Sequence, residues 1–206
     1  METVKLLIVD LEIGSNHRHF LLKNISEEQK EKALRYKHEN DQIRSLISSY
    51  LVNQLSDEKL LFNQSGKPYY PNGPYFNISH SGKYVVMAVS NKEIGVDIEE
   101  NVEKNLTPLM KIFNEAEAKL LKEHADFYYL WCAKESLIKC IGDSINHIKE
   151  IPSLPLNGLK TFKGNNYQCK AFIYDKHIVS ITRESDEEFE IQIENIKKLP
   201  IKEKLL

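Results

Sequence analysis

The residues best suited to chemistry lie in two short segments, the first of which has the pattern of a strand. In residues 94–99 (IGVDIE), a period of two places Asp97 and Glu99 on one face and apolar residues on the other. Two carboxylates on one face repel each other mildly in water, but they need a cation when they are partly buried. Two interpretations stay open: an exposed polar face of a sheet, or half of a site for a hard cation that prefers oxygen ligands.

The second segment, residues 131–139 (WCAKESLIK), places charges beside the apolar stripe of a predicted helix. At about 100° per residue, Lys134 falls inside the apolar arc, and Glu135 and Lys139 follow its edge. A lysine in such a stripe needs either a route to water for its ammonium group or an anion to contact. Glu135 and Lys139 are either an ordinary exposed pair, worth about 0.3–0.5 kcal/mol, or part of a charged site.

The composition is that of an ordinary globular protein, with 206 residues, 41% hydrophobic, 28% charged and a formal net charge of -2. This balance gives no global indication of nucleic-acid binding. Three cysteines without a CxxC pair favour free thiols in a reducing compartment. No leader pattern and no apolar run of membrane-spanning length is recognisable. We therefore expect a cytoplasmic protein without a membrane or nucleic-acid partner.

Elements that can position these residues alternate along the chain. The patterns predict a helix at residues 16–23 and a helical region at 26–55, interrupted near residues 38–40, which opens with a capping box of Ser26 and Gln29. Its expected buried stripe is Ile43, Leu46, Ile47, Tyr50, Leu51 and Leu55. Further helices are predicted to begin at Thr107, Asn114 and Asp126. Gly142 is expected to end the last of these. Strands are predicted at residues 4–9, 60–62, 75–80, 84–90, 93–99, 159–162, 167–174, 177–182 and 189–193. We interpret 75–99 as a three-stranded meander and 197–206 as a loosely held tail.

These elements predict an α+β fold with two similar halves, each consisting of helices packed on a small antiparallel sheet. The polar segment 100–105 is the expected boundary, which divides the chain into residues 1–100 and 101–206. The helical region 26–55 also has a basic side. Such a side is usually only solvated, and the alternative is a dock for a phosphate. Its cations are Lys30, Lys32, Arg35, Lys37 and Arg44.

Three segments together resemble the 4′-phosphopantetheinyl transferases, and the longer, surfactin-synthetase-activating class fits best. They are residues 76–81 (FNISHS), residues 94–99, and Trp131-x-x-Lys134-Glu135-Ser136-x-x-Lys139, in this order and spacing. The resemblance covers nearly the whole chain, including residues 66–68 (GKP). It implies two α/β halves related by a pseudo-twofold axis in a monomeric chain, with coenzyme A in the cleft between them.

The resemblance also implies an activity: transfer of the 4′-phosphopantetheine arm of coenzyme A to a serine of an apo acyl or peptidyl carrier protein. Adenosine 3′,5′-bisphosphate would be released, and the carrier would serve nonribosomal peptide, polyketide or fatty-acid synthesis. Asp97, Glu99 and Glu135 would bind Mg²⁺, with Mn²⁺ as an alternative. Lys139 would add positive charge beside the pyrophosphate, and Glu135 would accept the serine proton. Glu117 is a second candidate base, although its capping box with Asn114 explains it structurally.

The coenzyme A contacts implied by the resemblance are Lys32, Arg44, Lys67, Ser79, His80, Lys134 and Lys139. Without the resemblance, a lone His80 at a strand end is more often a surface or capping residue than a functional one. Gln29 stands where the family carries a lysine, so its contact with the 3′-phosphate is open. An apolar set is either a dock for a carrier helix or core. It consists of Leu109, Met110, Phe113 and Leu120.

Two other classes of function are compatible with these residues. A non-catalytic module that holds coenzyme A or a carrier protein would bind the cofactor and transfer nothing, and it would not need a complete acidic trio. A different Mg²⁺-dependent enzyme, such as a phosphohydrolase, would release adenosine bisphosphate without a carrier.

Overall fold

The computed structural model describes residues 2–201, which form two four-stranded sheets, a two-stranded hairpin and six α-helices. The strands are β1 Glu2–Asp10, β2 Leu61–Phe62, β3 Pro68–Tyr69, β4 Tyr75–Ser81, β5 Tyr84–Ser90, β6 Ile94–Glu100, β7 Gly158–Phe162, β8 Asn165–Tyr174, β9 His177–Glu184 and β10 Phe189–Ile196. The helices are α1 Leu11–Asn16, α2 Arg18–Lys23, α3 Glu27–Leu34, α4 Glu39–Asn53, α5 Glu115–Ala118 and α6 His124–Ile141. Two 3₁₀ helices cover Thr107–Ile112 and Ile145–Glu150. The mixed α+β class is therefore as predicted.

Each large sheet combines strands from both halves of the chain: β10 joins the sheet of β1, β5 and β4, and β6 joins the sheet of β7, β8 and β9. The first has the order β10-β1-β5-β4 and the second β6-β9-β8-β7. The predicted meander of β4, β5 and β6 is wrong, because β1 and β4 already occupy both edges of β5 and β6 pairs with β9 instead. The first sheet is also not purely antiparallel, since β10 pairs parallel to β1.

Local signals in the first helical region are confirmed. Ser26 and Gln29 form the predicted capping box at the start of α3, and α4 follows after a break at residues 35–38. The buried face of α4 packs on the first sheet. It consists of Ile43, Leu46, Ile47, Tyr50, Leu51 and Val52. This face leaves the polar side of α4, with Arg44, at the rim of the sheet.

The N-cap of helix α6 lies three residues before the predicted one. Glu123 is the N-cap, and Asp126 occupies the third helical position, where its carboxylate accepts from the Glu123 backbone N–H at 2.8 Å. The prediction of Asp126 as N-cap is therefore wrong, because the two carboxylates form a reciprocal capping box. Gly142 ends the helix in the left-handed conformation, at φ 66°, as predicted.

A glycine sets the distance between α6 and β6. An ideal Cβ on Gly95 would lie 2.0 Å from the carbonyl oxygen of Ser136 and 2.4 Å from the backbone nitrogen of Cys140. Only a residue without a side chain allows this approach. The approach brings the charged edge of α6 against Asp97.

Two remaining expectations concern the C-terminal tail and the membrane. The prediction of a loosely held tail is wrong at Leu199, which is 7% exposed and packs in the hydrophobic core between α4 and the first sheet. Residues 202–206 lie outside the described part of the chain. Within residues 2–201, no helix has both the length and the apolar character needed to cross a membrane.

Candidate functional site

The site lies where the edge strands of the two sheets, β4 and β6, run side by side. Alternate hydroxyl groups on β4 contact the carboxylates of β6. Ser79 Oγ donates to Asp97 Oδ1 at 2.8 Å, and Ser81 Oγ donates to Glu99 Oε2 at 3.0 Å. The two-residue period of both strands therefore places both predicted carboxylates on the seam between the sheets.

Helix α6 adds a third carboxylate and a cation to this seam. Lys139 Nζ lies 2.6 Å from Asp97 Oδ1 and 3.4 Å from Glu135 Oε2, and it donates to Ser79 Oγ at 3.2 Å. The structure thus brings together residues from all three motif segments. Glu135 and Lys139 are not an isolated exposed pair, because Lys139 also contacts Asp97, whose side chain is only 4% exposed.

Burial and like charge control the protonation of this cluster. Burial, followed by the charge of Asp97, raises the pKa of Glu99. Burial also raises the pKa of Glu135, against the opposing effect of Lys139. Burial alone would lower the pKa of Lys139, but the carboxylates of Asp97 and Glu135 outweigh it and raise that pKa. Asp97 and Glu135 therefore share one tightly held ammonium group, whose charge also acts on Glu99.

The donor chemistry of the cluster fits a hard cation. All three candidate ligands offer carboxylate oxygens, which Mg²⁺ prefers. Asp97 Oδ2 is buried and finds no hydrogen-bond partner within residues 2–201, so one ligand oxygen is free. The present arrangement is not a finished coordination site: in the described part of the chain, no group of three His, Cys, Asp or Glu side chains is placed to hold a metal. Lys139 occupies the space between two of the candidate ligands.

A basic region adjoins the cluster. Arg44, on α4, contacts Asp41 at 2.6 Å and the carbonyl oxygen of Gly82 at 2.5 Å. His80 is exposed at the end of β4, yet partial desolvation and then the charges of Arg44 and Lys139 lower its pKa. Lys32 is exposed on α3. Arg44 thus lies near the end of β4, where its charge acts on His80.

Lys67 anchors the end of α6 to the start of β6. Its ammonium group donates to Glu93 Oε2 at 2.5 Å, to the carbonyl oxygen of Cys140 at 2.8 Å and to that of Ile94 at 3.2 Å. The Cys140 carbonyl belongs to the last turn of α6, where helix carbonyls lack intrahelical partners. As placed, Lys67 therefore holds the two elements that carry the cluster.

Lys134 and Glu117 form a separate buried ion pair. Lys134 is 0% exposed, and its ammonium group lies 3.1 Å from Glu117 Oε2 and donates to the carbonyl oxygen of Ile151. Glu117 also accepts from the backbone and hydroxyl of Ser153 at 2.8 and 2.6 Å, and from the Asn114 backbone at 3.0 Å. Burial would raise the pKa of Glu117, but the hydrogen bonds from Ser153 lead the effects that lower it. The lysine in the apolar stripe therefore meets an anion, and the capping box is confirmed.

The candidate docking surface is divided between surface and core. Three of its residues are partly exposed: Leu109 (38%), Met110 (37%) and Leu120 (44%). Phe113 is instead buried in the hydrophobic core that α6 forms with the second sheet. Sequence reasoning missed two residues that shape the site, Ser81 and Gly95. The alternation of Ser79 with Ser81 on one strand, and a glycine inside an apolar strand, were the available signals.

Comparison with known proteins places these motifs in a family. The family model of the 4′-phosphopantetheinyl transferase superfamily matches residues 93–193. The 4′-phosphopantetheinyl transferase gsp of Aneurinibacillus migulanus is 36% identical over 146 residues, which cover 64% of this chain and 62% of that protein. A 4′-phosphopantetheinyl transferase of Bacillus subtilis is 30% identical over 204 residues, or 90% and 88% of the two chains. The 4′-phosphopantetheinyl transferase Sfp of Bacillus subtilis (strain 168) is 31% identical over 188 residues, or 83% and 81%.

The region matched by the family model contains β6 and α6, which hold the carboxylates and Lys139. The resemblance deduced from the three motifs is thereby confirmed: the chain belongs to the 4′-phosphopantetheinyl transferase superfamily and is a transferase.

Proposed function

We propose that the protein transfers the 4′-phosphopantetheine arm of coenzyme A to a serine of an apo acyl or peptidyl carrier protein, with Mg²⁺, and releases adenosine 3′,5′-bisphosphate. The observation that carries this proposal is the convergence of Asp97, Glu135 and Lys139 on one seam in a member of the transferase family. A seam that joins anionic ligands to a cation is suited to an anionic substrate that arrives with a metal.

Asp97, Glu99 and Glu135 would hold Mg²⁺, or Mn²⁺ in its place. When bound, such a dication neutralises charge that develops on the leaving phosphate. The raised pKa values of Glu99 and Glu135 support the assignment, because burial and mutual repulsion give this cluster an unmet demand for positive charge.

Glu135 is the group that accepts the proton of the carrier serine. The serine oxygen forms a bond to the phosphorus that carries the pantetheine arm, and the bond from that phosphorus to the bridging oxygen breaks. The serine proton moves to Glu135, whose pKa burial raises toward the range in which a carboxylate is an effective base. Lys139 stabilises the negative charge on the departing phosphate.

The 3′-phosphate of coenzyme A would bind to Lys32, Arg44 and His80 through charge-assisted hydrogen bonds. The contact of Arg44 with the carbonyl oxygen of Gly82, two residues after His80, and the effect of its charge on His80 support this part. Ser79 and Lys67 would lie nearer the pyrophosphate and the nucleotide, and a direct contact of the Lys67 ammonium would require it to leave Glu93.

Three residues singled out in the sequence, Glu117, Lys134 and Gln29, have no part in the proposed chemistry. Glu117 and Lys134 are fully engaged with each other and with residues 151–153, so the chemistry above does not use them. The Gln29 amide is held by the Ser26 backbone and by Asn53, so the phosphate site does not depend on it.

The larger architecture belongs to the same proposal. We take residues 1–100 and 101–206 as halves related by a pseudo-twofold axis in a cytoplasmic monomer. The equal number of strands in the two large sheets supports the twofold, with β6 and β10 exchanged so that each pairs within the sheet of the other half. The exposed Leu109, Met110 and Leu120 would receive an apolar face of the carrier from nonribosomal peptide, polyketide or fatty-acid synthesis.

Intact mass spectrometry of apo carrier domains tests the proposal. Each carrier is incubated with the protein, coenzyme A and Mg²⁺, and a parallel sample contains EDTA. We expect one phosphopantetheine arm to be added to the carrier serine, and EDTA to abolish this addition. Binding of coenzyme A without transfer to any carrier would favour a binding module, and release of adenosine bisphosphate without a carrier would favour a hydrolase.

A further inference from the structure

The ammonium group of Lys139 lies inside the carboxylate cluster. It contacts Asp97 Oδ1 at 2.6 Å and Glu135 Oε2 at 3.4 Å, and these two side chains are only 4% and 13% exposed. Ser79 Oγ is a third neighbour at 3.2 Å. Lys139 therefore already neutralises part of the charge of two of the three proposed metal ligands.

A dication and this ammonium group compete for the same oxygens. Mg²⁺ binds carboxylate oxygens at about 2.0–2.1 Å, so a metal shared by Asp97 and Glu135 would lie beside the present position of the ammonium. Two cations at that separation repel each other strongly in a site with little water. Lys139 can leave, because its side chain is 27% exposed and has a flexible four-carbon stem.

We infer that Lys139 is an exchangeable counter-ion of the metal site. While the ammonium group of Lys139 contacts Asp97 and Glu135, it competes with a dication for their oxygens. When coenzyme A binds, the ammonium group moves to the pyrophosphate and leaves these oxygens to the metal. This inference rests on the function proposed above and adds a coupling to it. Metal and coenzyme A each raise the affinity of the protein for the other, by the same factor.

Direct Mn²⁺ binding tests this, with free Mn²⁺ measured by electron paramagnetic resonance. Without coenzyme A, we expect Lys139→Met to bind Mn²⁺ at least about tenfold tighter than the wild type, because the competing cation is gone. Coenzyme A should tighten Mn²⁺ binding of the wild type about 5- to 150-fold and that of Lys139→Met less. Adenosine 3′,5′-bisphosphate, which lacks the pyrophosphate, should have a much smaller effect on the wild type.

Lys104→Met is the matched control. Lys104 is exposed and acts on Glu99 through its charge, so its replacement removes one positive charge near the cluster and leaves the contacts of Lys139 intact. We expect its Mn²⁺ affinity without coenzyme A to stay within about threefold of the wild type. An equally large gain in Lys104→Met would show that only net charge matters and would overturn the inference.

The outcomes separate this inference from the proposed function. If Lys139→Met binds Mn²⁺ no tighter than the wild type, while coenzyme A still promotes metal binding, the counter-ion role is wrong and the metal assignment stands. If the wild type binds no Mn²⁺ even with coenzyme A, the metal assignment itself is wrong, and the inference falls with it. Thermal melting monitors folding. Should Lys139→Met not fold, the wild-type arms decide: equal Mn²⁺ affinities with coenzyme A and with adenosine 3′,5′-bisphosphate would overturn the inference.

Discussion

Replacement of Gly95 by alanine would push α6 away from β6. An ideal Cβ at this position lies 2.0 Å from the Ser136 carbonyl oxygen, 2.4 Å from the Cys140 backbone nitrogen and 3.0 Å from the Cys140 Cα. Ordinary contact begins at 3.4 Å, so the Ser136 carbonyl must move by about 1.4 Å. All three obstacles are backbone atoms of one helix, and no flexible side chain can absorb the clash.

The expected loss of stability is moderate and the expected loss of activity is large. Overpacking of this kind costs about 1–3 kcal/mol, and each kcal/mol lowers the Tm of a chain of this size by about 2–4 °C. A domain with about 5–15 kcal/mol of stability stays folded after such a change. A shift of about 1 Å between catalytic groups costs about 100-fold in rate, and the proposed catalytic residues Glu135 and Lys139 move with the helix.

The assay is the rate of phosphopantetheine transfer to a carrier, with Tm measured in parallel by circular dichroism. Gly158→Ala is the matched control: Gly158 has φ 102°, and no non-neighbouring heavy atom of residues 2–201 lies within 4 Å of its ideal Cβ. Alanine there introduces backbone strain of about 1–3 kcal/mol without touching α6, so near-normal activity is expected. If Gly95→Ala is as active as Gly158→Ala at a similar Tm, the close packing of α6 on β6 at Gly95 is not what positions the site.

Three further predictions concern charge. Asp97→Asn should lower kcat/KM at least about 100-fold, because the side chain loses the negative charge that pairs with Lys139 and that would bind the metal. A normal rate in steady-state kinetics would contradict both the ion-pair role and the metal-ligand role of Asp97. Lys134→Met should lower the free energy of unfolding by about 3–5 kcal/mol, since Glu117 is left buried without its cation; adding Glu117→Gln should recover part of this in urea titrations, and an unchanged midpoint would contradict the pair. The pKa of His80 is lowered from 6.5, so His80 is neutral at pH 7.5, and a bound phosphate would raise that pKa. Coenzyme A binding should therefore take up protons and strengthen as the pH falls toward 6.5. Calorimetry in two buffers measures the uptake, which His80→Asn should remove; no uptake by the wild type would refute the contact.

Local patterns predicted most of the helices, because the interactions that cap and pack a helix lie within a few residues of one another, but they missed α1 at Leu11–Asn16. The capping boxes Ser26–Gln29 and Asn114–Glu117, the stop at Gly142 and the buried stripe of α4 all follow from sequence spacing. The start of α6 was misplaced because Asp126 suits both the N-cap and the third helical position, and only the partner Glu123 distinguishes them.

The pairing of strands that are distant in the chain was harder to predict from the sequence. The sequence suggests a meander for β4, β5 and β6, since neighbouring strands usually pair. Which strand takes the second edge of β5 depends on the competition between β6 and the distant β1, and no local pattern records its outcome. The parallel partner of β1, residues 189–196, is equally remote in the chain.

By itself, the sequence determined which residues are candidates for the chemistry and which face of their own element each occupies. The periods of strand and helix placed Asp97 with Glu99 and aligned Glu135 with Lys139, and the motifs identified the family that the comparisons confirm. Only the tertiary structure decided which charges meet. It gave Lys134 a buried partner in Glu117 and put Lys139 between Asp97 and Glu135. Such partners come from elements that are distant in the chain, so their contacts depend on strand order and on the space that Gly95 leaves for α6.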